Sequence, residues 1–372
     1  MNKIKKTDHF YLIDGSGYIF RAYYALPPLS RKSDGLPTGA VSGFCSMLFK
    51  LLEDVRSDDS KQKPTHFAVI FDSARKNFRN DIYSEYKANR AEAPDDLAPQ
   101  FEYIRKSVKA FNLPSIELLN YEADDLIATY AKQITEAGAK VTIISSDKDL
   151  MQLVSNKVRL FDPMKSRVIG EKEVVEKFGV KPDQVIDVQS LAGDSSDNVP
   201  GVPGIGIKTA AELINKYKNL EKLLSKASEI SQNKRRETLL ANKDKALLSK
   251  QLVTLKNDVP VKNDLEEFLI KDIDKDKLYD FLREMEFNRL LSQVISFYGE
   301  SDNDDTNIEI KSKKISRIDK KFYKSILDEK ELNELIKNLN EKLVIAVDTE
   351  TSSLNPQEAE LIGISISYAE NN

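Results

Sequence analysis

The chain has 372 residues, 40% hydrophobic and 31% charged, with a net charge of −4. That length favours two or three domains over one, and the composition excludes a disordered chain. One cysteine, Cys45, and two histidines, His9 and His66, exclude intrachain disulfides and any metal site built on several thiolates or imidazoles. Metal chemistry here would have to use oxygen ligands.

In chain order, His9–Asp14 reads as a buried strand ending on an acid, followed by Gly15-Ser16-Gly17. Residues 38–56 have helical periodicity, Arg56–Pro64 is a loop, and Thr65–Phe71 is a second strand running into Asp72. Residues 74–100 mix charges and aromatics with no sustained apolar face. Gln100–Phe111 and Glu122–Gly138 are predicted helices, Gly138 stopping the second. Val141–Ser146 is a third strand, running into Asp147 and Asp149, and a fourth lies near Val158–Phe161. Alternating strands and helices indicate an α/β domain with a mostly parallel sheet, in which ligands sit beyond the carboxyl ends of the strands. Asp14, Asp72 and Asp147 are therefore expected on one rim. From about 183 to 295 short helices replace strands. Residues 300–314 read as a solvated linker, followed by a helix at Glu329–Leu339, a strand at Leu343–Val347 ending on Asp348, and an apolar segment at Leu361–Tyr368. No apolar run approaches the roughly 18 residues of a membrane span, and no secretory signal follows the basic N-terminus.

The charge is unevenly placed. Residues 301–372 hold 10 Lys+Arg and 15 Asp+Glu, a net of −5, which leaves +1 over residues 1–300. Within the latter, Glu122, Asp124 and Asp125 fall in four residues at the start of a helix. Alone they would be an acidic first turn favoured by the helix dipole. Asp147 with Asp149, and Asp194 with Asp197, would alone be solvated surface or caps. Together with Asp14 and Asp72 they make nine carboxylates that can share one rim, where they repel unless cations neutralise them. Such an oxygen-only site suits two or more Mg²⁺ or Mn²⁺ ions. Two ions about 4 Å apart can serve the attacking and leaving oxygens of a phosphodiester displacement. Without these nine acids, residues 1–300 would carry +10, which suits a polyanionic substrate.

Five motifs stand in order: Ile-Asp-Gly-Ser at 13–16, Phe-Asp at 71–72, Glu-Ala-Asp-Asp at 122–125, Ser-Ser-Asp-Lys-Asp at 145–149, and Gly-Asp-Ser-Ser-Asp-Asn-Val-Pro-Gly-Val-Pro-Gly-Ile-Gly at 193–206. Over residues 8–297 they resemble the 5′ nuclease domain of bacterial DNA polymerase I, a relative of flap endonucleases. The resemblance implies a PIN-like or resolvase-like α/β region at 8–180, with a helical arch at about 75–100. It implies a helical DNA-binding region at 181–298, with a helix–hairpin–helix at about 195–216. A linker at 299–314 and an incomplete 3′–5′ exonuclease-like α/β tail at 315–372 would follow. It assigns Asp14, Asp72 and Asp124 to a first metal and Asp147, Asp149 and Asp197 to a second, with Asp124 between them. Glu122 completes the set, and Asp125 and Asp194 act through water.

Residues 75–90 interleave basic and aromatic side chains, the mixture that tracks phosphates and stacks on bases in single-strand binding; an amphipathic surface helix would read the same. The resemblance gives Lys87 and Arg90 the scissile phosphate, Tyr86 a stacking or positioning role, and Arg21 a further phosphate contact. Phe78 and Arg79 are assigned to DNA, and the arch is expected to order on substrate. Gly201 to Thr209 nearly matches a phosphate-binding P-loop. Ile207 breaks the match, and no strand precedes it. The helix–hairpin–helix reading instead gives Gly201, Gly204, Gly206, Lys208 and Thr209 to duplex phosphates, with K⁺ often held at this turn in the family.

In the tail, Val344–Thr351 resembles the first motif of a proofreading exonuclease, with Asp348 and Glu350 as ligands. Further acidic motifs are missing, so no 3′ exonuclease activity is expected of it, and no polymerase module is expected in this chain. The whole reads as a monomeric, cytoplasmic, nucleoid-associated 5′–3′ exonuclease or flap endonuclease. Its partners would be 5′ flaps, nicked or gapped duplexes and RNA primers on DNA, without membrane contact. A PIN-like ribonuclease and a catalytically silent junction binder are the rival readings.

Overall fold

The computed structural model describes residues 4–57, 63–300, 323–339, 345–352 and 358–368. They divide into two units, Met1–Asn303 and Asp304–Asn372. The loop read at Arg56–Pro64 and the linker read at 299–314 fall largely outside the described residues.

In the first unit, alternating apolar residues build a sheet buried on both faces. Along β1 (His9–Asp14), Phe10 and Leu12 enter one core and Ile13 the other. Along β2 (His66–Ile70), Ala68 and Ile70 enter the first core, Phe67 and Val69 the second. A parallel sheet covered by helices on each face requires this pattern. With β3 (Ser115–Ile116), β4 (Lys140–Ile144), β5 (Val158–Asp162) and β6 (Arg167–Ile169), the order is β3-β2-β1-β4-β5-β6, and only β6 is antiparallel. β3 and β6, two and three residues long, are too short for a detectable alternation.

The helices are α1 (Gly15–Ala25), α2 (Gly39–Ser57), α3 (Phe78–Ile82), α4 (Gln100–Ala110), α5 (Ala123–Glu136), α6 (Glu171–Phe178), α7 (Val185–Ala192), α8 (Ile207–Tyr217), α9 (Leu220–Ser225), α10 (Asn233–Ala241), α11 (Lys243–Val253), α12 (Lys275–Glu284) and α13 (Asn288–Tyr298). Leu126 and Ile127 of α5, Val188 of α7 and Ile214 of α8 cover the first core. Ile19, Phe44, Ile104, Leu282 and Leu291, from α1, α2, α4, α12 and α13, cover the second. Helices beyond residue 180 thus pack on both faces of the sheet. None of the described helices is long and apolar enough to cross a membrane.

β1 lies between β2 and β4, so the chain winds outward in both directions from it. A crevice opens at the carboxyl ends on either side of such a switch point.

In the second unit, α14 (Glu329–Leu339) precedes an antiparallel pair, β7 (Ala346–Thr351) and β8 (Leu361–Ser367). The strand expected to end on Asp348 continues to Thr351. Asp348 and Glu350 therefore lie within β7, pairing with Ser365 and Gly363. Leu343 and Val344 lie outside the described residues.

Candidate active site

The parallel strands bring their terminal acids to one rim. Asp14 closes β1: its Oδ1 accepts the Gly17 N–H at 2.8 Å, capping α1, and its Oδ2 accepts the Ser145 hydroxyl at 2.8 Å. Asp72, two residues past β2, is held by Ser16 Oγ at its N–H (3.0 Å) and accepts the Ala123 N–H at 2.8 Å, which fixes the start of α5. Asp147 follows β4; its N–H donates to Ser145 Oγ (3.0 Å), and its Oδ1 accepts the Asp149 N–H (2.8 Å). Asp149 in turn accepts from Gln189 Nε2 at 2.5 Å.

These acids, with Glu122, Asp124, Asp194 and Asp197, line a cavity of about 220 Å³ together with Lys87 and Arg90. Eight of the nine expected carboxylates therefore converge. They fall into two electrostatic groups. Glu122 pairs with Lys87 and, at 3.2 Å, with Arg79; Asp197 pairs with Arg90 and stands 3.6 Å from Lys87 Nζ; Asp194 pairs with Lys148 at 2.5 Å. Asp14, Asp72, Asp124, Asp147 and Asp149 have no ion-pair partner among the described residues, and Asp124 has no hydrogen-bond donor there either.

The ionisation of these groups follows. Burial, reinforced by Asp147 and Asp72, pushes Asp14 up to about 6 despite its hydrogen bonds from Gly17 and Ser145. Burial and the Asp147 charge push Asp149 up to about 7. Asp124 is driven well above the ordinary carboxyl range by burial and by repulsion from Asp147 and Asp14. Burial works against ionisation of Glu122 too, but Lys87 and Arg79 overcome it and hold Glu122 below its ordinary value. At Asp194, Lys148 and Ser196 likewise overcome burial.

Five carboxylates without an ion-pair partner among the described residues, offering only oxygen donors, fit hard divalent cations. As placed, no three acidic or histidine side chains among the described residues stand close enough to share one ion. Lys87, Arg90 and Lys148 already pair with Glu122, Asp197 and Asp194, so a cation reaching those three acids has to displace them.

The segment expected as an arch contains the five-residue α3 followed by turns, and it rests on the 194–198 loop. Lys87 N–H donates to Asp197 O (3.0 Å), Asn89 Nδ2 to Ser195 O (2.7 Å) and Asn198 Nδ2 to Glu85 O (2.7 Å). Lys87 itself adopts a left-handed backbone, φ 55°.

Four expectations need correction. Asp125 does not face the cavity: it is fully buried, and its two oxygens accept four donors, two from Arg79 and the N–H groups of Lys256 and Glu122. Arg79 is equally buried and offers no surface to DNA. Tyr86 is 5% exposed with its hydroxyl on Glu122 at 3.1 Å, so its ring is not presented for stacking; it lines the cavity, and the positioning half of its expected role is untouched. Gly201 is buried, its N–H donates to Ser249 Oγ, and a Cβ there would lie 2.4 Å from Gly193 N, so it serves loop packing and not phosphate contact. Gly204, Gly206 and Lys208 are exposed at the turn into α8, Thr209 is half-buried, and α8 has no side-chain cap. Phe78 is half-buried over Arg79 and lines a separate shallow groove with Ile82. Arg21 donates to Pro163 O at 3.5 Å and does not itself line the cavity.

Several contributors escaped the sequence reading. Ser16 and Ser145 stand inside quoted motifs, and Lys148 sits between two of the expected ligands, so a signal existed for each. Nothing in the sequence marks Gln189.

The family described as 5′-3′ exonuclease, N-terminal resolvase-like domain, matches residues 9–179, and the 5′-3′ exonuclease C-terminal SAM fold matches residues 180–276. A 5′-3′ exonuclease of Aquifex aeolicus is 40% identical over 78% of this chain and 96% of its own length. The chain belongs to the 5′–3′ exonuclease family. A 3′-5′ exonuclease family matches residues 323–372. DNA polymerase I of Rhizobium leguminosarum is 57% identical over 292 residues, 78% of this chain, and the match spans only 29% of that protein. A bacteriophage T5 5′-exonuclease with bound zinc shares the fold, with a TM-score of 0.56 and 23% identity over 75% of this chain and 98% of its own. A T5 flap endonuclease with DNA and metal ions also has a TM-score of 0.56, at 21% identity over 78% of this chain and all of its own.

Proposed function

We propose that residues 8–298 form a divalent-metal-dependent, structure-specific 5′ nuclease that hydrolyses phosphodiesters at 5′ flaps and 5′ ends of duplex DNA. The observation that carries this is the crevice of five carboxylates without a protein counter-ion, bordered by Lys87 and Arg90. A polyanionic substrate entering it meets cations on one side and a site that needs cations on the other.

Mg²⁺ or Mn²⁺, held by Asp14, Asp72, Asp124, Asp147 and Asp149, would supply activation of the attacking water and neutralise charge at the scissile phosphate. Lys87 and Arg90 bind that phosphate once released from Glu122 and Asp197, and stabilise the charge that builds on it. Glu122, Asp194 and Asp197 hold the basic side chains in place between turnovers. The exposed turn at Gly204–Lys208 approaches duplex phosphate through the uncapped N–H groups of α8, with K⁺ as the ion of that turn. Such contacts are blind to sequence, so junction shape selects the site. The products are a 5′-phosphate and a 3′-hydroxyl, and the biological setting is primer and flap removal at the bacterial nucleoid.

The test is cleavage of a 5′-flap DNA with and without Mg²⁺, beside a plain single-stranded RNA. Mg²⁺-dependent cutting near the flap junction is expected. Asp124→Asn and Asp147→Asn should abolish it while DNA binding persists. Full activity in both variants would defeat the proposal, and preference for the RNA would favour a ribonuclease.

A further inference from the structure

Arg79 is fully buried, and each of its five N–H donors has an acceptor. Nε donates to Leu252 O at 2.8 Å. Nη1 donates to Glu122 Oε2 at 3.2 Å and Asp125 Oδ2 at 2.7 Å. Nη2 donates to Asp125 Oδ1 at 2.7 Å and Thr254 O at 3.2 Å. Asp125 then donates nothing and accepts from Lys256 N (2.8 Å) and Glu122 N (3.2 Å) as well. One guanidinium thereby joins three segments far apart in sequence: 77–79, 122–125 and 252–256.

A buried ion pair gives little net stability over apolar residues of the same volume. What it supplies here is direction, because the bidentate fork admits one relative orientation. The first turn of α5 is clamped from two sides, with Glu122 N on Asp125 and Ala123 N on Asp72. Asp124 lies between the two clamps and lines the cavity. The 252–256 strip reaches the other acids too: Gln152, in the turn that follows Asp149, donates to Val253 O at 3.0 Å and accepts from Leu255 N at 3.1 Å. Leu252, Val253 and Leu255 form part of the cavity wall.

We infer that Arg79, acting through Asp125, is a positioning residue for the metal-binding carboxylates, and that it ties the 252–256 strip across both halves of the set. The inference rests on the nuclease reading for its effect on turnover, but not for its effect on ion binding. Lysine in its place keeps the charge and loses the fork.

The test compares the full chain with Arg79→Lys, with Arg79→Met, and with the double variant Arg79→Met/Asp125→Leu, which removes the charge pair together. Three quantities are read: thermal midpoint, Mn²⁺ affinity by calorimetry without DNA, and kcat and KM on a 5′-flap DNA. Arg79→Lys should stay folded, lose about tenfold or more in Mn²⁺ affinity and about 10–100-fold in kcat, with KM within about twofold. The double variant should recover part of the midpoint lost by Arg79→Met, because the Asp125 charge is no longer buried unpaired while backbone groups of Glu122, Leu252, Thr254 and Lys256 still lose partners, without recovering Mn²⁺ affinity or kcat. A purely structural pair predicts that all three recover together. That result, wild-type Mn²⁺ affinity in Arg79→Lys, or unfolding of all three variants would overturn the inference. If the wild-type chain does not cleave the flap and Mn²⁺ affinity still falls in the variants, the nuclease reading fails and the positioning role stands.

Discussion

Lys87 stands between two carboxylates: its Nζ pairs with Glu122 and lies 3.6 Å from Asp197 Oδ2. Burial alone would lower its pKa, but the charge of Glu122 overcomes this and holds it protonated. A lysine in this position competes with a divalent cation for Glu122 and Asp197, and under the proposed function it turns to phosphate when substrate arrives. Lys87→Met should therefore cut kcat by about 10²–10³-fold, the scale of losing one donor to a developing oxyanion. Mn²⁺ affinity measured calorimetrically without DNA should be unchanged or tighter. A weaker Mn²⁺ affinity would show that Lys87 supports the ion site instead of competing for it.

The ion-free protein should lose stability as pH rises. Asp14 and Asp149 titrate near 6 and 7 in the fold against an ordinary value of 3.8. Between about pH 4 and 7 the folded chain thus binds more protons than the unfolded one, and stability falls through that window. Glu122 and Asp194 are held below their ordinary values, so their contribution is lost only at lower pH and does not mask the effect. In EDTA the thermal midpoint should be lower at pH 8 than at pH 5. Saturating Mg²⁺ should raise it most at pH 8, and Mg²⁺ binding between about pH 5 and 7, where Asp14 and Asp149 still carry protons, should release them. A midpoint in EDTA that climbs from pH 5 to pH 8 would contradict the description of these carboxylates.

The glycines of the 193–206 loop should separate by function. Gly201 has φ +58° and its Cβ would meet backbone of Gly193; Gly204 has φ +75° and nothing within 4 Å. Gly204→Ala should cost about 1–2 kcal/mol of stability, the strain of a left-handed L-residue, and weaken nicked-duplex binding. Gly201→Ala should cost more, through the added clash, before any effect on DNA is seen. Urea unfolding and fluorescence anisotropy on each variant give both numbers. Equal stabilities would remove the packing role assigned to Gly201.

The rim acids were legible because short buried runs that end on Asp report a parallel strand and its carboxyl edge at once. The alternation Phe10, Leu12 against Ile13 is enough to orient β1, and Asp14 follows. The acids of Glu122–Asp125 were legible as a group but not in their division of labour. Helical spacing puts Glu122 and Asp125 on a common face, yet only Glu122 reaches the cavity, because Arg79 arrives from 46 positions away to occupy Asp125. Local spacing carries no information about such a partner.

By itself the sequence determined the four longer strands, the rim that carries their terminal acids, the lack of thiolate or imidazole clusters and the family, since each depends on residue type and short-range order. The tertiary structure decided which charges are already neutralised. Pairing is a property of distance in space, and it turns nine similar carboxylates into five without an ion-pair partner among the described residues, three paired with a basic side chain at the cavity, and one, Asp125, paired with the buried Arg79.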